Sequence, residues 1–235
     1  MDERFTDEFV TWRHKTPIGV KIDEIFGMDS KSGKVWLELA KQIFSEQSDT
    51  FYRVIDHFPN GAPFLEGYPG RISVTHTNHF LAVASLPKTP EINLELFNPR
   101  AALGIDAESI DRTQVIKIRE KFLSPDELEM IGEEDVAANI LAWTIKEALY
   151  KAALTPGLDF KENLKIKKLP VVLAEPDSKP EKDSKGNIRD SFGEAVIIFP
   201  KDSEWGEQQM TLFSYMSYGC CVTIAVSPKC AKFGK

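Results

Sequence analysis

The run from Glu133 to Leu154 constrains this chain more than any other stretch of it. Three acids, Glu133, Glu134 and Asp135, stand where they oppose the positive end of a helix dipole, and Thr155, Pro156 and Gly157 stop the run at its other end. Leu141, Ile145, Ala148, Leu149 and Ala152 recur at spacings of three and four, so the helix has one apolar side that must be buried. The segments that follow read as strands at Leu164 to Ala174, Glu194 to Phe199, Met210 to Tyr215 and Cys220 to Val226. Helix and strands together predict an α+β fold with antiparallel sheets.

The N-terminal half carries an extended candidate at Ile18 to Ile25 and a helix candidate at Val35 to Phe44, ended by the polar run Ser45 to Thr50. Turn signals at Pro59, Asn60, Gly61 and Pro63, and again at Pro69 and Gly70, precede a predicted hairpin of Ile72 to His76 and Phe80 to Leu86. Asn98 and Pro99 mark the boundary between two halves, 1–100 and 101–235, each with strands and a principal helix and with no repeat visible letter by letter. The second half opens on the extended segment Leu103 to Glu108. A short helix follows from Ser124, where Pro125 suits the first helical position and Glu127 completes a capping box. The hydrophilic stretch Glu175 to Asp190 reads as a mobile loop.

Composition excludes several classes. At 235 residues and 42% hydrophobic content the chain can bury one large core or two small ones. Its longest apolar runs are far too short to span a membrane, and Met1, Asp2, Glu3 and Arg4 do not begin a signal peptide, so the expectation is a cytoplasmic protein. Three cysteines make neither a disulfide framework nor a zinc site. A net charge of -7 argues against nucleic-acid binding. One local run is basic: Arg112, Lys117, Arg119 and Lys121 stand against Glu120 alone, a patch suited to an acidic partner, although a charge run by itself is most often a solvated face.

Two constellations carry chemistry. On the segment Leu103 to Glu108, Gly104, Asp106 and Glu108 share one face, which sets two carboxylates roughly 7 Å apart. If both stay ionised in an enclosed place, a bound cation is the simplest way to offset their repulsion, and Gly104 would let a ligand approach the backbone. Taken alone, the pair reads as the solvated end of a strand. On the long helix, Trp143, Glu147 and Lys151 form a stripe at successive turns; alone, Glu147 and Lys151 would be a surface ion pair worth about 0.3–0.5 kcal/mol.

The joint pattern is more specific. Gly104-Ile105-Asp106-Ala107-Glu108, then Lys121-Phe122-Leu123-Ser124, then Trp143-Thr144-Ile145-Lys146-Glu147-Ala148-Leu149-Tyr150-Lys151 closely resemble the ordered signature of the 4'-phosphopantetheinyl transferase superfamily. Upstream, Ile72-Ser73-Val74-Thr75-His76-Thr77 and Gly61-Ala62-Pro63 resemble two further family elements, with Thr75 in place of the usual serine and Ala62 in place of the usual lysine. The doubled length resembles the larger, monomeric class with two pseudo-repeated halves.

This resemblance implies that Asp106, Glu108 and Glu147 bind magnesium, that Lys151 and Lys146 lie near the phosphates of coenzyme A, and that His76, Thr75 and Pro63 contribute to coenzyme A binding. Arg13, Lys15 and Arg53 are candidates for further basic contacts. It implies transfer of 4'-phosphopantetheine from coenzyme A to a serine of an apo acyl or peptidyl carrier protein, with adenosine 3',5'-bisphosphate released. The base is Glu147 or a metal-bound water, and sequence does not choose between them. A non-catalytic relative that binds coenzyme A or a carrier protein is the alternative; no P-loop, Rossmann fingerprint, Gly-x-Ser-x-Gly elbow or zinc motif supports another enzyme class.

Overall fold

The computed structural model describes residues 9–27, 55–65, 68, 70–86, 102–176 and 191–228. The strands are β1 (Phe9–Lys15), β2 (Lys21–Gly27), β3 (Ile55–His57), β4 (Pro63–Leu65), β5 (Arg71–His76), β6 (Phe80–Leu86), β7 (Leu103–Ser109), β8 (Leu164–Lys168), β9 (Val172–Leu173), β10 (Gly193–Ile198), β11 (Glu207–Ser217) and β12 (Cys220–Val226). The helices are α1 (Gln114–Phe122), α2 (Pro125–Met130) and α3 (Val136–Ala153). The smaller sheet has the order β1-β2-β6-β5, the larger β7-β12-β11-β10-β8 with β9 joined to β11, and β3 and β4 form a separate hairpin. The expected α+β class is observed. Pairing is antiparallel except between β9 and β11, a contact of two residues on each strand.

The larger sheet lies between two apolar layers. On one face Leu103, Ile105 and Ala107 of β7, with Val222 and Ile224 of β12, meet Ile22, Phe80, Ala82 and Ala84 of the smaller sheet. On the other face Cys221, Ala225 and Leu212 meet Ile145, Ala148, Leu149 and Ala152 of α3. Burial on both sides explains why β12 is apolar almost throughout and is buried along its whole length. Alternation along β7 therefore sends Gly104, Asp106 and Glu108 toward α3.

Gly104 is required by that packing. A Cβ placed there would lie 1.9 Å from the carbonyl oxygen of Ala148 and 2.8 Å from the backbone nitrogen of Ala152. The sequence reading gave this glycine to an approaching ligand; it is α3 that occupies the space.

Several element bounds move for local reasons. The extended candidate at residues 18–25 is strand β2 from Lys21 onward, while Ile18 and Val20 lie buried in the β1–β2 connection. There the Thr16 hydroxyl donates to the Val20 carbonyl (3.0 Å) and accepts from its N–H (3.1 Å). Helix α3 begins at Val136 because Asp135 is its N-cap, accepting from the Ala138 N–H at 2.9 Å, so Glu133 and Glu134 precede the helix. It ends at Leu154, whose φ of 54° is left-handed. The hairpin at residues 72–86 is present as β5 and β6. The expected helix at residues 35–44, the boundary at Asn98 and Pro99, Arg53 and most of the hydrophilic stretch 175–190 lie outside the described residues.

The run containing Arg112 to Lys121 forms α1, and one member of its expected basic patch is turned inward. Arg119 is 8% exposed, and its guanidinium donates to the carbonyls of Leu128 (3.3 Å) and Ile131, closing the C-terminal end of α2. Helix α2 is fixed at its other end by the predicted capping box, in which the Ser124 N–H donates to Glu127 Oε2 at 2.7 Å.

Glu127 is also the partner of Lys146. The Lys146 ammonium, 0% exposed, donates to both Glu127 oxygens at 2.8 Å and to the carbonyls of Phe160 (2.9 Å) and Leu164. The Ile166 N–H donates to Glu127 Oε1 at 2.7 Å, so one carboxylate ties α2, α3 and β8 together. Burial pushes the Lys146 pKa down to about 8. Breaking such a pair from one side strands a buried charge. Glu127→Ala is expected to lower unfolding free energy by about 3–5 kcal/mol in urea titrations at neutral pH. Combined with Lys146→Met, the loss should be smaller than the sum of the single losses.

Candidate functional site

The site is assembled where β7 meets β5. Each strand is an edge of its sheet, and the outward N–H groups of β7 would otherwise lack partners. Side-chain oxygens satisfy them: the Ile105 N–H donates to Ser73 Oγ (3.0 Å), the Ala107 N–H to Thr75 Oγ1 (3.0 Å) and the Ser109 N–H to Glu108 Oε1 (3.1 Å). Ser73 and Thr75 are two residues apart on β5, as Ile105 and Ala107 are on β7, so one period of two matches the other.

Asp106 sits between these stitches and α3. Its Oδ1 accepts from the Thr75 hydroxyl at 3.1 Å and from Lys151 Nζ at 2.7 Å, and Lys151 also donates to the Ile105 carbonyl at 3.0 Å. Burial raises the Asp106 pKa above the ordinary aspartate value, opposed by the Lys151 charge and by hydrogen bonds from Lys151, Thr75 and the Ala107 N–H. Glu108 pairs with Arg112, whose guanidinium also lies over the Trp143 ring, 5.5 Å from its centre. Trp143 is itself held edge-on by Phe122 (5.1 Å, 80°).

One turn beyond Trp143 on α3, Glu147 completes the group. Burial raises its pKa first, the negative charge of Asp106 adds to the rise, and Lys151 and Arg112 oppose it. Asp106, Glu108 and Glu147 all line one cavity of about 600 Å³, together with Trp143, Arg112 and, from the β5–β6 turn, His76, Thr77, Asn78 and His79. Lys151 reaches the site through Asp106.

Three of the expected contacts fall elsewhere. Lys146 is turned away from Glu147 on α3 and is consumed by Glu127, so it does not reach this cavity. Thr75 is 3% exposed and its hydroxyl is committed to Asp106 and to the Ala107 amide, which makes it a support of the acid and not a phosphate contact. Pro63 lies in the β3–β4 hairpin, outside the cavity wall. That hairpin docks near the end of α3, where Asn60 Nδ2 donates to the Leu154 carbonyl at 2.7 Å. His76 does line the cavity, and so does His79, three residues on across the β5–β6 turn. The hairpin prediction contained the missed signal, because a tight turn after His76 delivers its own side chains to the same end of the sheet.

Residues 102–192 match the 4'-phosphopantetheinyl transferase superfamily. A protein of Aliarcobacter butzleri (strain RM4018) named holo-(acyl-carrier-protein) synthase is 38% identical over 99 residues, covering 39% of this chain and 77% of that relative. The chain belongs to the 4'-phosphopantetheinyl transferase superfamily. The superfamily match takes in Asp106, Glu108, Glu147 and Lys151, whereas His76 and the β5–β6 turn lie N-terminal to it.

The donor set at the centre of this phosphopantetheinyl transferase site suits a hard divalent cation: all three acids offer carboxylate oxygens, and they outnumber the cations Lys151 and Arg112 beside them. Among the described residues, no three His, Cys, Asp or Glu side chains are gathered closely enough to hold a metal ion, and Asp106 and Glu108 are each engaged by their own cation.

The raised pKa values have a stability consequence. Folded Asp106 and Glu147 keep their protons to higher pH than the unfolded chain does, so their contribution to stability is greatest below the unfolded values and is lost as pH rises through the raised ones. Glu147→Gln should therefore raise Tm at pH 7. It should also flatten the dependence of Tm on pH above the ordinary glutamate value, as followed by calorimetry.

Proposed function

We propose that this chain transfers the 4'-phosphopantetheine of coenzyme A to a serine hydroxyl of an apo acyl or peptidyl carrier protein, with magnesium, releasing adenosine 3',5'-bisphosphate. The observation that carries the reading is the presence in one cavity of Asp106, Glu108 and Glu147, with Lys151 clamped on Asp106, in a member of the superfamily. The name of the Aliarcobacter relative supports the same class of reaction.

Asp106, Glu108 and Glu147 would hold the magnesium once they close on it, with Asp106 and Glu108 exchanging their contacts to Lys151 and Arg112 for the metal. When bound, the metal neutralises charge on the diphosphate. Lys151 offers an ammonium to the same phosphates as a point charge, and His76 and His79 line the same cavity. The serine oxygen forms a bond to the phosphorus bearing the pantetheine, the bridging P–O bond of the diphosphate breaks, and the adenosine bisphosphate leaves with the bridging oxygen. Glu147 takes the serine proton as general base. The active unit we propose is a monomer, a reading supported by His76 and Glu147 lining one cavity of a single chain. A cytoplasmic setting suits the buried thiols Cys220 and Cys221.

The test incubates the protein with coenzyme A, magnesium and apo carrier proteins from several pathways, and weighs the carriers by intact mass spectrometry. Addition of one phosphopantetheine is expected, with Asp106→Asn and Glu147→Gln at least about 100-fold slower. Coenzyme A binding without modification of any carrier would favour a non-catalytic role, and a fully active Gln variant would remove Glu147 from the mechanism.

The carrier would approach over α1, where Lys117 and Lys121 are exposed while Arg119 is buried. Charge reversal at Lys117 and Lys121 together should raise the KM for carrier several-fold, leave kcat in place and flatten the salt dependence. Unchanged steady-state kinetics at low salt would take this face out of the docking surface.

A further inference from the structure

We infer that Ile110 and Tyr218 form an apolar anchor at the rim of the cavity on which the carrier protein seats, an inference that rests on the transferase reading above. The acceptor serine belongs to a folded protein, so that protein must cover the cavity mouth while its serine enters. Among the described residues five large apolar side chains are exposed, and two of them belong to turns that meet at this rim. Ile110, 45% exposed, stands between Ser109 and Asp111, which line the cavity. Its N–H donates to the Gly219 carbonyl at 3.0 Å, which ties the connection after β7 to the β11–β12 turn, where Tyr218 is 40% exposed. Just past that turn, Cys220 Sγ lies 4.0 Å from the hydroxyl of Thr77, another lining residue. The β11–β12 turn is thereby joined to the cavity lining through two elements, the β7–α1 connection and the β5–β6 turn.

Local backbone chemistry does not account for the tyrosine. Ser217 pairs with Cys220, so Tyr218 and Gly219 make a two-residue hairpin turn, and both have left-handed φ, 44° and 73°. Such a turn favours Asn-Gly, and a bulky side chain at its first position is strained. The Tyr218 ring is stacked on Phe26, with centroids 4.4 Å apart and planes 10° from parallel. Beside Phe26, the Gly27 N–H donates to the carbonyl of His79, again a lining residue. The stack holds one face of the ring in place and leaves the rest to solvent, so little side-chain freedom remains to be lost when a partner docks. Lys117 and Lys121 of α1, both exposed, can steer an acidic partner to this rim, and the apolar pair supplies the close contact. The partner that fits is a protein whose acidic surface carries an apolar side chain beside its acceptor serine.

Steady-state transfer from coenzyme A to the apo carrier protein on which the wild-type chain is most active, followed by intact mass, tests the anchor. The variants are Ile110→Ser and Tyr218→Asn; asparagine suits the left-handed backbone, so the turn is kept. Each is expected to raise the KM for carrier by about fivefold or more while the KM for coenzyme A stays within about twofold, which also reports an intact site. Val171→Ser, at an exposed apolar position beside β9, should leave both constants within about twofold of wild type. A wild-type carrier KM in either rim variant, or an equal rise in Val171→Ser, would overturn the inference and leave the transferase reading standing. A rise in the KM for coenzyme A, alone or matching that for carrier, places the pair on the pantetheine arm and overturns it as well. A wild-type chain that modifies no carrier removes the transferase reading and the seat with it.

Discussion

The approach of α3 to β7 at Gly104 is the constraint on which the rest of this protein depends. Helix and strand come so close that no side chain fits between them, and the small residues Ala148 and Ala152 complete the contact from the helix side. This sets the level of α3 along β7. Once the level is fixed, Lys151 falls beside the Ile105 carbonyl and Asp106, and Trp143 and Glu147 fall at the wall that Glu108 shares. A helix held farther away by one methyl group would leave Lys151 short of both its partners.

Around that contact, charge is arranged in opposed directions from neighbouring positions. Lys146 and Glu147 are adjacent in sequence, yet Lys146 is sealed against Glu127 beneath α2 while Glu147 opens on the cavity. Two consecutive residues on a helix point about 100° apart, so one can serve the core and the next the solvent-facing chemistry. The buried pair carries a desolvation cost offset by the ammonium's bonds to the Glu127 carboxylate and to the Phe160 and Leu164 carbonyls, whereas Glu147 remains partly uncompensated among Asp106 and Glu108.

Much of this was legible in the sequence where local rules decide. The capping box at Ser124, the extent of β12, the β5–β6 hairpin and the long helix follow from turn chemistry, periodicity and capping. The common face of Asp106 and Glu108 followed from strand alternation. What could not be read was which partner a polar side chain would choose. Lys146 and Arg119 look like surface cations in the sequence, and only the positions of Glu127 and of the last carbonyls of α2 explain their burial. Likewise the pairing of Thr75 with Asp106 joins positions 31 residues apart and depends on how two sheet edges meet.

The hydroxyl stitches have one more consequence. An edge strand with open amides invites a strand from another molecule, and β7 is both an edge and the carrier of two of the acids. Here the outward amides of residues 105, 107 and 109 end on side-chain oxygens, so the edge is closed without a further strand. The strand that bears the chemistry is thereby withdrawn from edge-to-edge polymerisation, and its acids stay beside open space.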